Sequence, residues 1–152
     1  MYYIIGAGLA IWLAGIGVGI GIWIVGKKAL EVMSKDKSQL GTFLILAILG
    51  IALVESAAIY GLIVAFQITW LDPTIATQLW RKVIAAGLSV GLAGLGAGVG
   101  EWLLVAGAMD AILRNPETKG KIMTFMVLFL ALIEAVAIYG LIIALNLLGT
   151  GA

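Results

Sequence analysis

The sequence predicts an all-α membrane protein with four transmembrane helices arranged as two tandem helical hairpins. Three observations support this fold class: an apolar composition, four long uncharged or nearly uncharged runs, and an internal repeat. Hydrophobic residues make up 63% of the chain and charged residues only 11%, with a mean hydropathy of +1.19. Too few polar side chains are present to cover the surface of a soluble globular protein.

Each of the four apolar runs is long enough to cross a bilayer, which needs about 20 residues of helix. The first run has no charged residue, and each of the others contains a single glutamate. In order, the runs are 1–26, 40–71 with Glu55, 83–109 with Glu101, and 122–148 with Glu134.

The basic residues predict the orientation of these helices. Cations are concentrated between the first and second runs and between the third and fourth, and they are fewer between the second and third. The positive-inside rule therefore predicts cytoplasmic hairpin turns, with both termini and the linker 67–82 outside. Trp70 and Trp80 suit the outer interface as aromatic anchors. No basic run suggests a nucleic-acid partner, and the lack of Cys and His excludes disulfides and the usual metal ligands.

An internal duplication relates the two halves of the chain, 1–73 and 80–152, without a gap. Matching residues are 79 positions apart, so Glu55 corresponds to Glu134 and Tyr60 to Tyr139. Two spans separate the copies, which predicts that the two hairpins run in the same direction. Other matched residues are Gly15, Gly17, Gly19, Gly21, Trp23 and Gly61 with Gly94, Gly96, Gly98, Gly100, Trp102 and Gly140.

The glycines of the first and third spans alternate with apolar residues, as in "AGIGVGIG" and "AGLGAGVG". This spacing does not match a nucleotide-binding loop. It gives two overlapping small-xxx-small pairs in each copy, which allow close approach between helices in lipid. A simple dimerising helix needs one such pair. Two pairs favour a helix packed between neighbours on both sides, as in a closed ring.

Glu55 and Glu134 are the candidate functional residues, because a charge at mid-membrane costs several kcal/mol unless it is protonated, paired or bound to a cation. A neutral glutamic acid in a fixed interhelical hydrogen bond is one interpretation. The span interiors contain no Lys, Arg, Asn or Gln to serve as a fixed partner. Reversible ion binding is therefore the favoured interpretation.

Three motifs in order carry a resemblance to a known family. They are the alternating glycines of the third span, the turn Arg114-Asn115-Pro116-Glu117, and Glu134 followed by Tyr139-Gly140. Together they resemble the c subunit of rotary F-type ATP synthases. The duplication within one chain is similar to the proteolipid of V-type ATPases, although that family commonly keeps one carboxylate per pair of hairpins.

The resemblance implies a multi-pass subunit of a homo-oligomeric rotor ring in a prokaryotic plasma membrane, with the first and third spans inside and the others outside. It implies a stator subunit that carries an Arg, central-stalk subunits as further partners, and H⁺ or Na⁺ as the transported ion. Arg114, Asn115 and Pro116 would contact the stalk; the first turn, 35–38, departs from that pattern. No covalently bound cofactor and no nucleotide site are expected, so the chain itself would be non-catalytic.

The resemblance also suggests ion ligands, which the two copies share unequally. Resemblance to the sodium-binding members of the family implies a Na⁺ site formed by Glu101, Glu134, Ser56 and the Leu53 carbonyl, with Tyr139 supporting Glu134. Glu55, supported by Tyr60, would face Ile22 and Ala135, which offer no oxygen ligand, and would carry only a proton. The alternative is that all sites carry protons and Glu101 is a second neutral acid.

Two other function classes compete with the rotor interpretation. A small oligomeric secondary transporter or channel is one, but a parallel repeat lacks the inverted topology typical of transporters. A structural scaffold is the other, and it leaves the repeated carboxylates unexplained.

Overall fold

The computed structural model describes residues 2–149, so the predicted hairpin ends at Met1 and 150–152 lie outside the described residues. Four long helices are apolar enough to cross a membrane, which confirms the predicted fold class. The helices are α1 (Tyr2–Lys35), α2 (Leu40–Thr69), α3 (Pro73–Gln78), α4 (Trp80–Arg114) and α5 (Lys119–Leu147), with short 3₁₀ turns at Lys37–Gln39 and Pro116–Thr118.

The C-terminal ends of α1 and α4 continue beyond their apolar runs. The first run ends at residue 26, yet α1 reaches Lys35, and α4 reaches Arg114. Ion pairs stabilise the extension of α1: Lys28 lies 3.1 Å from Glu31, and Lys35 also pairs with Glu31 at i,i+4 spacing. Such pairs favour helix where the backbone has left the lipid.

The linker between the hairpins is shorter than the predicted 67–82, because α2 runs to Thr69 and α4 begins at Trp80. Within it, Asp72 caps the short helix α3 by accepting hydrogen bonds from the backbone N–H of Thr74 (2.8 Å) and Ile75 (3.4 Å). Hydrogen bonds to the charged form, above all from Thr74, hold the pKa of Asp72 below its ordinary value. Pro73 supplies the first helical residue, where its missing N–H does no harm.

Glycines bring α1 and α4 together in parallel. A Cβ atom added to Gly17 would lie 2.9 Å from the Cα of Leu95, and one added to Gly94 would lie 2.9 Å from the Cβ of Ala14. Of the two small-xxx-small pairs in each copy, only one is used within the chain: Gly17 with Gly21, and Gly94 with Gly98.

Of the remaining glycines in these two runs, Gly100 packs on Ile133 of its own hairpin and the other three face open space. A Cβ on Gly15, Gly19 or Gly96 would meet nothing within 4 Å. Among the described residues, each of α1 and α4 therefore has one glycine surface packed against the other hairpin and one that meets no other hairpin.

Helix α2 belongs to the first hairpin and lies at its contact with the second, where it meets α4 and α5 as well as α1. At mid-membrane this arrangement produces a layer of small buried side chains drawn from all four long helices. Its members are Val18, Val54, Ala57, Ala97 and Ala137. Small residues here allow the glutamates of α4 and α5 to approach α2.

Candidate functional site

The centre of the site is Glu134 on α5, which meets two hydroxyl groups of α2. Its Oε1 lies 2.5 Å from the hydroxyl of Tyr60 and 2.8 Å from Oγ of Ser56. Ser56 Oγ also lies 2.6 Å from the carbonyl oxygen of Leu53. The structure therefore brings together a carboxylate, two hydroxyls and a backbone carbonyl at the contact between the two hairpins.

Ser56 cannot satisfy both of its acceptor neighbours at once. A hydroxyl carries one proton, so it can donate either to Leu53 or to Glu134 but not to both. If Ser56 donates to Leu53, its contact with Glu134 needs a proton on that carboxyl group; a cation among the oxygens would satisfy either arrangement. The cluster offers carboxylate, hydroxyl and carbonyl oxygens, the type of ligand that suits a small hard cation.

Glu101 adds two further oxygens from α4. It is fully buried, and neither of its carboxylate oxygens has a hydrogen-bond partner; Oε2 of Glu134 is unpartnered as well. Glu101 lies close enough to interact electrostatically with Glu134. Two neighbouring carboxylates deep in an apolar layer cannot both be charged without compensation, so a proton or a cation is required between them.

Within residues 2–149, the salt bridges involve only Lys28, Lys35, Glu31 and Asp110, all near the C-terminal ends of α1 and α4. None of these pairs includes a glutamate at mid-membrane.

Glu55 occupies a different environment. It is exposed on the opposite side of hairpin one, although it is equivalent to Glu134 in the repeat. Ile22, at the position that corresponds to Glu101, is apolar and partly buried. Nothing within the described part of the chain gives Glu55 the oxygen neighbours that Glu134 has.

The expected tyrosine assignments need correction. Tyr60 donates to Glu134 and not to Glu55, while Tyr139, expected to brace Glu134, has 63% of its surface exposed. The physical reason is helical geometry: a residue five positions further on lies about 140° around the helix axis. A tyrosine at this spacing points away from the glutamate of its own helix and toward the neighbouring hairpin.

The second hairpin turn presents the predicted stalk-contact residues to water. Arg114 and Asn115 are exposed and Pro116 is partly exposed. Asn115 ends α4, with its backbone N–H bonded to the carbonyl oxygen of Ala111. Lys119 reaches Gln39 of the first turn at 3.3 Å, which joins the two turns into one polar surface.

Sequence reasoning missed one link between the hairpins. Lys28 on α1 bonds Asp110 on α4 at 3.1 Å as well as Glu31 on its own helix. Glu31 and Asp110 are 79 positions apart, so the repeat itself places acidic residues at equivalent positions. An acidic residue at the same position of both copies, with Lys28 nearby, could have predicted this ion pair from the sequence.

Comparison with known proteins places both halves of the chain in one family model. The model, described as the ATP synthase C subunit, matches residues 5–68 and again residues 84–147. The K subunit of the A-type ATP synthase from Methanocaldococcus jannaschii is 39% identical over 144 residues, which cover 95% of this chain and 60% of that protein. The chain therefore spans 60% of the length of this archaeal relative.

Two other relatives match about half of the chain. The chloroplastic ATP synthase c-type subunit of Cyanidium caldarium is 46% identical over 78 residues, covering 51% of this chain and 92% of that protein. The corresponding protein of Diacronema lutheri is 53% identical over 67 residues, covering 44% of this chain and 81% of that protein.

Proposed function

The chain belongs to the ATP synthase C-subunit family, since the family model matches both of its halves, and from that premise we propose that it is a rotor-ring subunit of a rotary ATP synthase or ATPase. In this role it translocates ions by binding them reversibly at mid-membrane glutamates. Many copies form the ring, and the nucleotide chemistry takes place in other subunits of the complex.

The observation that carries this proposal is the oxygen cluster at Glu134. Ser56, Tyr60 and the Leu53 carbonyl converge on it, while the buried carboxylate of Glu101 has no hydrogen-bond partner. Na⁺ is a hard cation that oxygen ligands suit. With Na⁺ bound and one carboxylate protonated, the site is electrically neutral; with H⁺ in place of Na⁺, neutrality requires a proton on both Glu101 and Glu134.

We propose a second, simpler site at Glu55. Applying the 79-residue repeat to the Glu134 cluster places Ala135 and Tyr139 of a neighbouring copy beside Glu55, with Ile22 in the place of Glu101. Only the tyrosine hydroxyl and backbone remain as polar neighbours there. This site has too few oxygens for Na⁺ and carries a proton.

Ion occupancy then controls rotation. A charged carboxylate is costly in lipid, so a glutamate can pass the hydrocarbon only after an ion has neutralised it. A stator subunit with an Arg would favour the charged form at one position and cause release there. The ion gradient supplies the direction, because each unit charge moved across 100 mV is worth about 2.3 kcal/mol.

The hairpin turns are the proposed contact with the central stalk. Arg114, Asn115 and Pro116 lie at an exposed turn, and the bond from Lys119 to Gln39 joins it to the first turn. Because most basic residues lie at this end, we place both turns in the cytoplasm and the termini outside. We expect a prokaryotic plasma membrane as the location.

Carbodiimide labelling tests the two kinds of site. The reagent modifies a protonated carboxyl group, so a bound Na⁺ protects the glutamate that holds it. In the detergent-extracted protein, we expect added Na⁺ to slow labelling of Glu134 and to leave labelling of Glu55 unchanged. Mass spectrometry of peptides from one sample measures both rates, which makes Glu55 an internal control.

Two serine variants provide a matched comparison. Ser56→Ala removes a hydroxyl from the site and should weaken protection of Glu134 by Na⁺. Ser89→Ala removes a hydroxyl that contacts the Gly140 carbonyl oxygen, away from the site, and should leave protection unchanged. Equal protection of Glu55 and Glu134 would contradict unequal sites, and no protection of either would leave protons as the only transported ions.

A further inference from the structure

Each lateral side of the chain has an unpartnered surface. On one side, which we call the α1/α2 flank, Gly8, Gly15 and Gly19 face open space and Trp12 is 72% exposed. A groove of about 470 Å³ runs along this flank between α1 and α2. On the other side, the α4/α5 flank, Gly96 faces open space and Tyr139 is exposed.

Glu55 belongs to the α1/α2 flank. Leu62 and Phe66, which line the groove, lie seven and eleven residues beyond Glu55 on the same helix. These spacings return to nearly the same side of a helix with 3.6 residues per turn. The groove and the exposed carboxylate are therefore parts of one surface.

We infer that a second copy of this chain packs its α4/α5 flank against the α1/α2 flank, in the register of the internal repeat. We call this contact between copies the seam, and its half near the N-terminal ends of α1 and α4 the outer half. Trp12 and Ala85 keep the helices apart in that outer half. The inference rests on the proposed ring and adds to it that the seam between copies differs from the contact within a chain. The contact between α1 and α4 within the chain serves as the template: each of its residue pairs is compared with the pair 79 positions away that would meet between copies.

The middle and inner parts of the seam match the template. Within the chain, α4 presents Gly94 and Gly98 to α1, and α1 presents Gly17 and Gly21 to α4. The repeat gives the residues that would meet between copies, 79 positions from each of these. On α1 they are Gly15 and Gly19, and on α4 they are Gly96 and Gly100, so all four are again glycine. Nothing prevents the same close approach at this level.

The outer half does not match. A Cβ on Gly91 would lie 2.5 Å from the Leu9 carbonyl oxygen, yet the equivalent position of the α1/α2 flank is Trp12. A Cβ on Gly6 would lie 2.6 Å from the Val83 carbonyl oxygen, yet its equivalent on the α4/α5 flank is Ala85. Both substitutions put side-chain atoms where the template has backbone contact, so the helices must separate there.

The wider spacing of the helices in the outer half of the seam affects the polar contacts available to Glu55. Gly140, next to Tyr139, packs on Ser89, Val90 and Ala93, so Tyr139 lies near the level of Gly91 and hence of Trp12. A wider seam at this level places the Tyr139 hydroxyl of one copy farther from Glu55 of the next than Tyr60 is from Glu134. Glu55 is then held less firmly than Glu134.

Cysteine cross-linking tests the seam, since the chain has no native Cys. The Cβ of Trp102 lies 3.5 Å from a Cβ built on Gly21, within the range of about 3.5–4.5 Å for a disulfide. The equivalent pair between copies is W23C with G100C at the inner half. The pair for the outer half is G8C with A85C, whose template is Gly87 against Gly6.

We expect oxidised W23C/G100C to form a ladder of covalently linked copies on a denaturing gel, and G21C/W102C to link only within one chain. G8C/A85C should link copies slowly, and adding W12G should raise its rate about tenfold or more, because disulfides form only at short Cβ separations. Circular dichroism and the intramolecular control establish that each variant is folded.

The outcomes separate this inference from the proposed function. If the wild-type chain forms a large oligomer but W23C/G100C does not link copies, the register is wrong while the ring stands. If G8C/A85C links equally fast with and without Trp12, the open outer seam is refuted. If the extracted wild-type chain has the mass of a single copy, the ring proposal fails as well.

Discussion

Replacement of Glu134 by Gln is expected to abolish sodium binding to the purified protein, with a loss of affinity of about 100-fold or more, since changes outside the direct ligands of a metal already cost 10–100-fold. Gln keeps the shape of the side chain and can still accept from Ser56 and Tyr60, so the helices should pack as before. It loses the negative charge that compensates the cation. Binding of ²²Na⁺ to the detergent-extracted assembly measures the effect.

Glu55→Gln is the matched control, because it makes the same chemical change at the equivalent position of the repeat. It should leave ²²Na⁺ binding unchanged. Glu101→Gln should retain weaker binding, since it keeps an amide oxygen in the site but removes the second carboxylate. Sodium binding that survives Glu134→Gln and disappears with Glu55→Gln would show that the assignment of the two sites is reversed.

The pH dependence of binding has a defined direction. H⁺ and Na⁺ compete for the same carboxylate oxygens, so acidification should weaken sodium binding to the wild-type protein. A site formed only from neutral ligands would show no such competition. This measurement therefore tests whether ionised carboxylate holds the cation.

Gly87→Ala is expected to destabilise the chain by about 1–3 kcal/mol, the usual cost of adding a methyl group to a tightly packed contact. The new Cβ would collide with the backbone carbonyl oxygen of Gly6 and lie 3.1 Å from the Gly6 Cα. Backbone cannot move aside as a flexible side chain can, so α1 and α4 must separate. Unfolding in mixed micelles of rising SDS content measures the change.

Gly107→Ala is the control on the same helix. A Cβ there meets nothing within 4 Å, so only the helix preference of Ala over Gly remains, which is slightly stabilising. Equal stability of the two variants would mean that close backbone contact between α1 and α4 does not stabilise the fold. A stability loss confined to Gly87→Ala would confirm its role.

The sequence by itself determined the fold class and the repeat. Long apolar runs specify spanning helices because lipid leaves no other way to satisfy their backbone. The single glutamates within them identified the candidate residues, because unpaired charge is expensive there. The linker between the hairpins was predicted too broadly, since α2 runs on to Thr69 and α4 begins at Trp80.

Only the tertiary structure decided which groups meet. Sequence periodicity fixes the face of a helix on which Tyr60 lies, but the helix opposite that face is selected by packing, here by Gly94 and Gly98 against α1. That packing turns Tyr60 and Ser56 toward Glu134 and leaves Glu55 exposed. Two copies of one element thus acquire different surroundings, because one has a hairpin beside it within the chain and the other must find one in a second copy.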